Sequence, residues 1–337
     1  MEKFDFMKGF SIIICTYNPR KEILERLLNA ILKFEISTLS YEVIIVDNNS
    51  SIELKGLEYI NYFLKSCQSS KIITEKRPGL TFARIAGVNA AKFDWLIFFD
   101  DDNEPDADYL NFAGIAIDNF NSVGVWGPGK IDVVYVDGSS KWLETKKDLY
   151  QQRIHSSSIY GNEKGSQNYY PDGTGMVLLK TIALEYIIKV ENLIYTLLDR
   201  NASVLSSGGD LQITLTATKL GYGVGRFKDL KLKHNIDGRK ATLKYVAKLA
   251  FGLEACNYIA HCEVLKWGHE EIDKFSYAKS IDILRYIYNR FFIRKQSFKN
   301  FILEFSRFVG QQVGIAILKK EKHPASLIHF ASLIINR

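Results

Sequence analysis

The sequence predicts an α/β fold in which a mostly parallel central sheet, flanked by helices, is followed by a helical C-terminal extension. Three observations predict it. Short β-branched runs alternate with helix-period segments over the first hundred residues, the pattern of successive βαβ units. The runs are apolar throughout, as in strands covered on both faces. Beyond about residue 237 the alternation stops and helical segments follow one another.

Residues 10–15 (FSIIIC) form the first strand, and Pro19 keeps the following TYNP turn out of helix. Residues 22–34 place Ile23, Leu27, Leu28, Ile31 and Leu32 on one helical stripe. Residues 41–46 (YEVIIV) are a second strand, stopped by Asp47-Asn48-Asn49-Ser50. A helix over 52–64, a strand over 71–74, a helix over 80–92 and a strand over 95–99 (WLIFF) complete the alternation. A helix is expected over 105–116. Strands are expected over 123–126 and 131–136, on either side of Gly127-Pro128-Gly129. The polar stretch 137–170 reads as loops over a cleft. A strand at 175–179, helices at 181–189 and 208–220, and short strands at 223–227 and 230–234 close this part. Residues 1–237 are thus expected to be one domain and 238–337 a helical region, with helices at 281–292, 298–309 and 326–336.

The chain has 337 residues, 47% of them hydrophobic and 24% charged, which suits a large core. Its net charge of +6 is unevenly placed. Residues 238–337 carry 17 Lys and Arg against 8 Asp and Glu, whereas residues 1–237 carry 27 against 30. Phe291, Phe292, Arg294, Lys295, Phe298, Lys299 and Phe301 mix charge with bulky apolar groups. That composition suits an anionic membrane surface, and equally a helical unit packing its aromatics on the body. No uncharged apolar run reaches the roughly 20 residues of a membrane span. The start of the chain shows no signal-peptide pattern, and four scattered cysteines show no disulfide framework. The expected location is therefore cytoplasmic, peripheral to the inner face of the cell membrane. Cys256, His261 and Cys262 fit no common zinc spacing and read as buried helix residues. A nucleic-acid partner is not expected, because the cleft is acidic and no binding motif is present.

In an open α/β sheet, ligands bind at the carboxyl ends of the strands. Those ends carry Thr16-Tyr17-Asn18, Asp47-Asn48, Arg77 and Asp100-Asp101-Asp102. Three adjacent carboxylates repel one another unless a cation sits among them, and hard oxygen ligands suit Mn²⁺ or Mg²⁺ carrying substrate phosphates. Strand alternation would set Asp100 and Asp102 on one side and turn Asp101 away. The plain alternative is a solvated acidic turn before the next helix. Arg77, and Arg84 near a helix start, offer an anion site, or are ordinary surface arginines.

Taken in order, SIIICTYNPR, YEVIIVDNNSS, EKRPGLTFARIAGVNAA and WLIFFDDDNEPDADYL resemble family 2 of the inverting, non-processive glycosyltransferases of bacterial polysaccharide assembly. A later block, DGTGMVLLKTIALEY and LSSGGDLQITLTATKLGYGVGRFKDLKLKH, extends the resemblance to about residues 9–237. It implies a GT-A fold, a nucleotide-sugar donor, a glycan or lipid-linked acceptor, and Mn²⁺ or Mg²⁺. It further implies that Thr16, Tyr17, Asn18, Asp47 and Asn48 line the nucleotide pocket, with Arg77 and Arg84 flanking base and phosphates. Asp100 and Asp101 would lie by the donor, Asp102 and Asp100 would hold the metal with His234 completing the site, and Asp210 would be the catalytic base. Asp210 also opens a helical pattern and could cap it. One departure stands out: Gly209 occupies the place where the family often has glutamate, and the helix after it lacks the usual arginine. Two other readings are a catalytically inactive donor-binding module and a sugar nucleotidyltransferase. The latter usually has a glycine-rich loop where this chain has CTYNPR.

Overall fold

The computed structural model describes residues 9–35, 39–165, 167–197, 199, 208–276, 278–320 and 326–336. The chain starts with β1 (Gly9–Thr16), α1 (Lys21–Leu32), β2 (Ser40–Asp47), α2 (Glu58–Ser66), β3 (Ser70–Thr74), α3 (Leu80–Ala90) and β4 (Trp95–Asp100). Then come β5 (Asn103–Pro105), α4 (Tyr109–Asn119), β6 (Val123–Tyr135), α5 (Lys141–Glu144), β7 (Arg153–Ile154), β8 (Ile159–Gly161) and β9 (Met176–Leu179). The sheet region ends with α6 (Lys180–Glu191), α7 (Gly209–Lys219) and β10 (Gly223–Ile236). Among the described residues there follow the α-helices α8 (Leu243–Leu265), α9 (His269–Asp273), α10 (Ser280–Tyr288, continued by a π-helical turn at Asn289–Ile293), α11 (Phe298–Leu318) and α12 (Ser326–Asn336).

The main path of the sheet runs β3-β2-β1-β4-β9-β6-β10-β5. Strands β1 to β4 are mutually parallel, as their alternation with helices requires, and β6 and β10 are also parallel. Strand β9 runs antiparallel between β4 and β6. Ile12, Ile13, Ile14 and Val43 to Val46 are wholly buried, which explains why these runs carry no polar alternation. Each such side chain contributes about 1.5–3 kcal/mol through burial. The register sets the carboxyl ends side by side: Thr16 pairs with Asp47, Asp47 with Thr74, and Cys15 with Asp100.

Several elements differ from the sequence expectation. The two strands expected around Gly127-Pro128-Gly129 are one strand, β6, and the two expected at 223–234 are one strand, β10. Their pairing shifts register between Phe227 and Lys231, so the turn-like residues form an irregularity inside a continuous ladder. A Cβ on Gly129 would run into the Lys228 backbone, which is why that position has no side chain. The helix expected from 105 starts at Tyr109, because Asn103–Pro105 pairs antiparallel with β10 instead. The helix expected over 52–64 is a 3₁₀ turn at Leu54–Gly56 followed by α2. The stretch 137–170 holds α5, a 3₁₀ turn at Lys147–Tyr150, β7 and β8.

A second apolar cluster joins sheet to helices: Val133, Tyr135, Leu143, Tyr150, Ile236, Val246, Ala250 and Leu303. Helix α11 runs nine residues further than the sequence pattern suggested and lies close along α8. Cβ atoms on Gly310 and Gly314 would meet the carbonyl oxygens of Phe251 and Ala255. By length and composition α11 could cross a membrane, and a little under half of its most apolar window is buried inside the protein.

Candidate active site

A cavity of about 380 Å³ opens at the carboxyl ends of β1, β2 and β4. Thr16, Tyr17, Asn48, Arg84, Asp100, Asp101, Asp102, Asp210 and His234 all line it. Three expected residues do not. Asn18 lines a smaller adjoining pocket, where its left-handed backbone (φ 47°) turns the chain and its side chain accepts from the Ser51 N–H at 2.8 Å. Asp47 accepts from the Ser50 and Leu54 N–H groups and so closes the loop after β2. Arg77 turns to Glu75 at 2.8 Å and lies over the Phe82 ring. Asn48 reaches the cavity, but its side chain ties down the loop before α3, donating to the Glu75 and Arg77 carbonyls and accepting from the Gly79 N–H.

The acidic triplet differs from simple strand alternation, because β4 ends at Asp100 and Asp101-Asp102 form a turn into β5. All three carboxylates therefore face the cavity. Each has its own partner. Asp100 accepts from the Thr174 hydroxyl at 2.9 Å and Asp101 from the Thr16 hydroxyl at 2.6 Å. Asp102 holds the Lys240 ammonium at 2.6 Å on one oxygen and faces His234 Nε2 at 3.2 Å with the other. Burial and the charge of Asp102 push the Asp101 carboxyl up to about 6. Burial acts the same way on Asp102, but Lys240 and His234 outweigh it and hold its carboxyl far below the usual range. Burial disfavours charged His234, yet Asp102 raises its pKa.

Asp210 lies in the first turn of α7, with its carboxylate accepting from the Gly173 N–H at 3.1 Å and the Leu211 N–H at 2.9 Å. Burial and the charge of nearby Asp199 raise its pKa, with Arg84 pulling the other way. The cap of α7 is supplied from elsewhere: Asp199 accepts from the Gly208 and Gly209 N–H groups. The same Asp199 pairs with buried Arg84 at 3.1 Å. A Cβ on Gly209 would strike the Asp199 carboxylate. That contact explains the glycine at this position.

His234 Nδ1 lies 2.8 Å from the Tyr150 carbonyl, so it carries the proton and leaves Nε2 facing Asp102. An imidazole pinned in this way beside a carboxylate is a donor pair that fits Mn²⁺ or Mg²⁺, which take few protein ligands and fill the rest with water and phosphate oxygens. Among the described residues no group of three or more His, Cys, Asp or Glu gathers around one point. Cys256, His261 and Cys262 all lie on α8, with His261 Nδ1 against the Asn257 carbonyl and its ring stacked on Trp267.

Sequence reasoning missed Lys240, Asp199, Thr174 and Tyr245, which also line the cavity. Thr174 is the threonine of the DGTG motif and could have been found there. Lys240 and Asp199 gave no local signal.

Comparison with known proteins agrees with this architecture. The fold is similar to that of Staphylococcus aureus TarS 1-349. The TarS 1-349 structure in complex with UDP-GlcNAc matches at a TM-score of 0.50 and 17% identity, over 97% of this chain and 88% of that one. The TarS 1-349 structure with UDP gives 0.48 and 16%, over 97% and 88%. TarS 1-349 alone gives 0.47 and 13%, over 93% and 92%. No curated protein matches the sequence. The family model for glycosyl transferase family 2 matches residues 11–155. That segment, from β1 through the acidic triplet to β7, is the part of the chain that is similar in sequence to glycosyl transferase family 2.

Proposed function

We propose that this chain is an inverting glycosyltransferase that moves a sugar from a nucleoside-diphosphate sugar to a hydroxyl of a glycan or lipid-linked acceptor in surface polysaccharide synthesis. One observation carries the reading: a half-buried carboxylate, Asp210, lines the same cavity as the acidic triplet, although a hundred residues of chain separate them. The acceptor oxygen attacks the anomeric carbon as the bond from that carbon to the diphosphate oxygen breaks. Asp210 takes the acceptor proton, and the nucleoside diphosphate leaves with the electron pair. The Gly173 N–H fixes the orientation of the Asp210 carboxylate. Asp100 and Asp101 lie beside the donor, held by Thr174 and Thr16. A divalent ion held by Asp102 and His234 would offset charge on the departing diphosphate; Asp100, expected as a further ligand, is held instead by the Thr174 hydroxyl.

Residues 238–337 form the accessory helical part in this reading, and an anionic membrane is its partner. Ile281, Leu284, Tyr288 and Phe292 make one exposed stripe along α10 and its continuation, with Arg285, Lys295 and Lys299 nearby. The side chain of Phe291 lies outside the described ones. TarS has been captured with UDP-GlcNAc, so UDP-sugars come first in the test. The test is a thermal-shift screen of UDP-, GDP- and dTDP-sugars with Mn²⁺, followed by release of nucleoside diphosphate on adding saccharide acceptors. Stabilisation by one nucleotide class and acceptor-dependent release support the proposal. Binding without release would leave an inactive donor-binding module, and no binding would end the reading.

A further inference from the structure

We propose that Lys240 is a donor-binding residue that serves two partners in turn, Asp102 and the diphosphate of the donor. The inference rests on the function proposed above and adds a residue to it. Five carboxylates line the cavity: Asp100, Asp101, Asp102, Asp199 and Asp210. A diphosphate entering there needs a positive group that can move to meet it. Arg84 is buried and committed to Asp199, which in turn caps α7. Arg77 is outside the cavity, on Glu75. His234 is pinned by the Tyr150 carbonyl.

Lys240 differs from all three. Its backbone is fixed: its N–H donates to the Asp237 carbonyl at 2.8 Å, and the Tyr150 hydroxyl donates to its own carbonyl at 2.6 Å. Its side chain is not enclosed, being 33% exposed, and it lines both the main cavity and the adjoining pocket. The ammonium is thus a point charge on a flexible four-carbon stem, swinging from a rigid base. Its partner in this structure, Asp102 at 2.6 Å, is one of the two groups that would hold a divalent ion. Lys240 holds Oδ2 and His234 faces Oδ1, so a metal ion between Asp102 and His234 would draw on the same carboxylate charge and sit close to the ammonium, and each cation would weaken the hold of the other. With a divalent ion held by Asp102 and His234, Lys240 would be bound less tightly to Asp102 and free to turn toward a diphosphate.

This arrangement makes Lys240 a competitor of the metal and an ally of the nucleotide, so its removal has effects of opposite sign. The test is titration calorimetry on the full chain and on Lys240→Met and Lys240→Arg, first with Mn²⁺ alone, then with UDP, GDP and dTDP at saturating Mn²⁺. Lys240→Met is expected to bind Mn²⁺ alone about tenfold more tightly than wild type. It is expected to bind the preferred nucleoside diphosphate about 10- to 100-fold more weakly, the range of one charge-assisted hydrogen bond. Lys240→Arg keeps the charge and should restore most of the nucleotide affinity. Thermal melting with and without Mn²⁺ checks folding, and the metal should raise the Tm of Lys240→Met more than that of wild type. Weakening of both ligands together, or no change in either, overturns the inference. If wild type binds Mn²⁺ but none of the three nucleotides, the proposed function itself falls. If wild type binds a nucleotide and Lys240→Met binds it equally well, only the role of Lys240 falls.

Discussion

Asp101 sits between two other carboxylates with the Thr16 hydroxyl as its donor. Its pKa of about 6 lies above that of a carboxyl in an unfolded chain, about 4. A carboxylate raised on folding costs stability above its folded pKa, and that cost disappears as pH falls through 6 toward 4. Asp101→Asn should therefore raise the Tm at pH 7.5 and leave it nearly unchanged at pH 4; equal gains at both pH values would refute the assignment. Asp210→Asn should lower sugar transfer by about 10²–10⁴ while nucleotide binding stays intact, because only proton removal from the acceptor is lost. Because burial and Asp199 raise Asp210, the base form is lost as pH falls through that raised pKa. The acid limb of kcat/KM should therefore lie above the usual carboxylate range. That the triplet, Asp210 and His234 line one cavity was legible in the sequence, because each lies near a strand or helix end within the blocks that carry the family resemblance. Lys240 and Asp199 were not. One is a lysine in a chain with many, and the other lies in a segment without periodicity, so only the tertiary approach of distant strands gives them a role.

At the scale of elements, close approach explains most of what the sequence misled about. Gly127-Pro128-Gly129 looks like a break between strands, yet β6 runs through it. The missing side chains let Lys228 and Pro171 come close, and a register shift in the ladder absorbs the irregularity. Gly209 acts similarly at the start of α7. Gly209→Ala should push Asp199 from both the helix cap and Arg84, at about 1–3 kcal/mol, read as a lowered denaturant midpoint with a matching loss of turnover. Gly310 and Gly314, one turn apart on α11, let that helix touch the backbone of α8. Gly314→Val should lower stability by about 1–3 kcal/mol, the usual range for overpacking, with the unfolding transition measured by circular dichroism. A substitution that left the midpoint unchanged would mean that the two helices are not held this closely in solution. The alternating strands and helices were readable because each buries a continuous apolar face. The α8–α11 contact was not, because a glycine pair says nothing about which backbone it meets.

Across the whole molecule, charge and apolar exposure point the same way. The excess of basic residues falls in the last hundred positions, where the exposed stripe of Ile281, Leu284, Tyr288 and Phe292 also lies. Vesicles containing anionic lipid should float with the chain at low salt, less so at 0.5 M salt, where the Debye length is only a few ångströms. Replacing Arg285, Lys295 and Lys299 together by glutamate should abolish flotation. Equal flotation of that variant, or flotation with neutral lipid alone, would remove the charged face from the account. The overall α/β class was legible from the alternation of runs. The way the helical part joins the sheet was not, since Val133, Tyr150, Val246 and Leu303 meet only after folding.

The segment between β10 and α8 has a practical consequence for anyone building chimeras. Lys240 and Tyr245 reach the cavity from just beyond the last strand, and α8 packs Val246 and Ala250 against Tyr150 and Ile236. A graft cut at the end of the sheet would remove two wall residues and bare a greasy seam. A transplantable cassette would have to carry its own first helix, with the exchange point no earlier than Leu265.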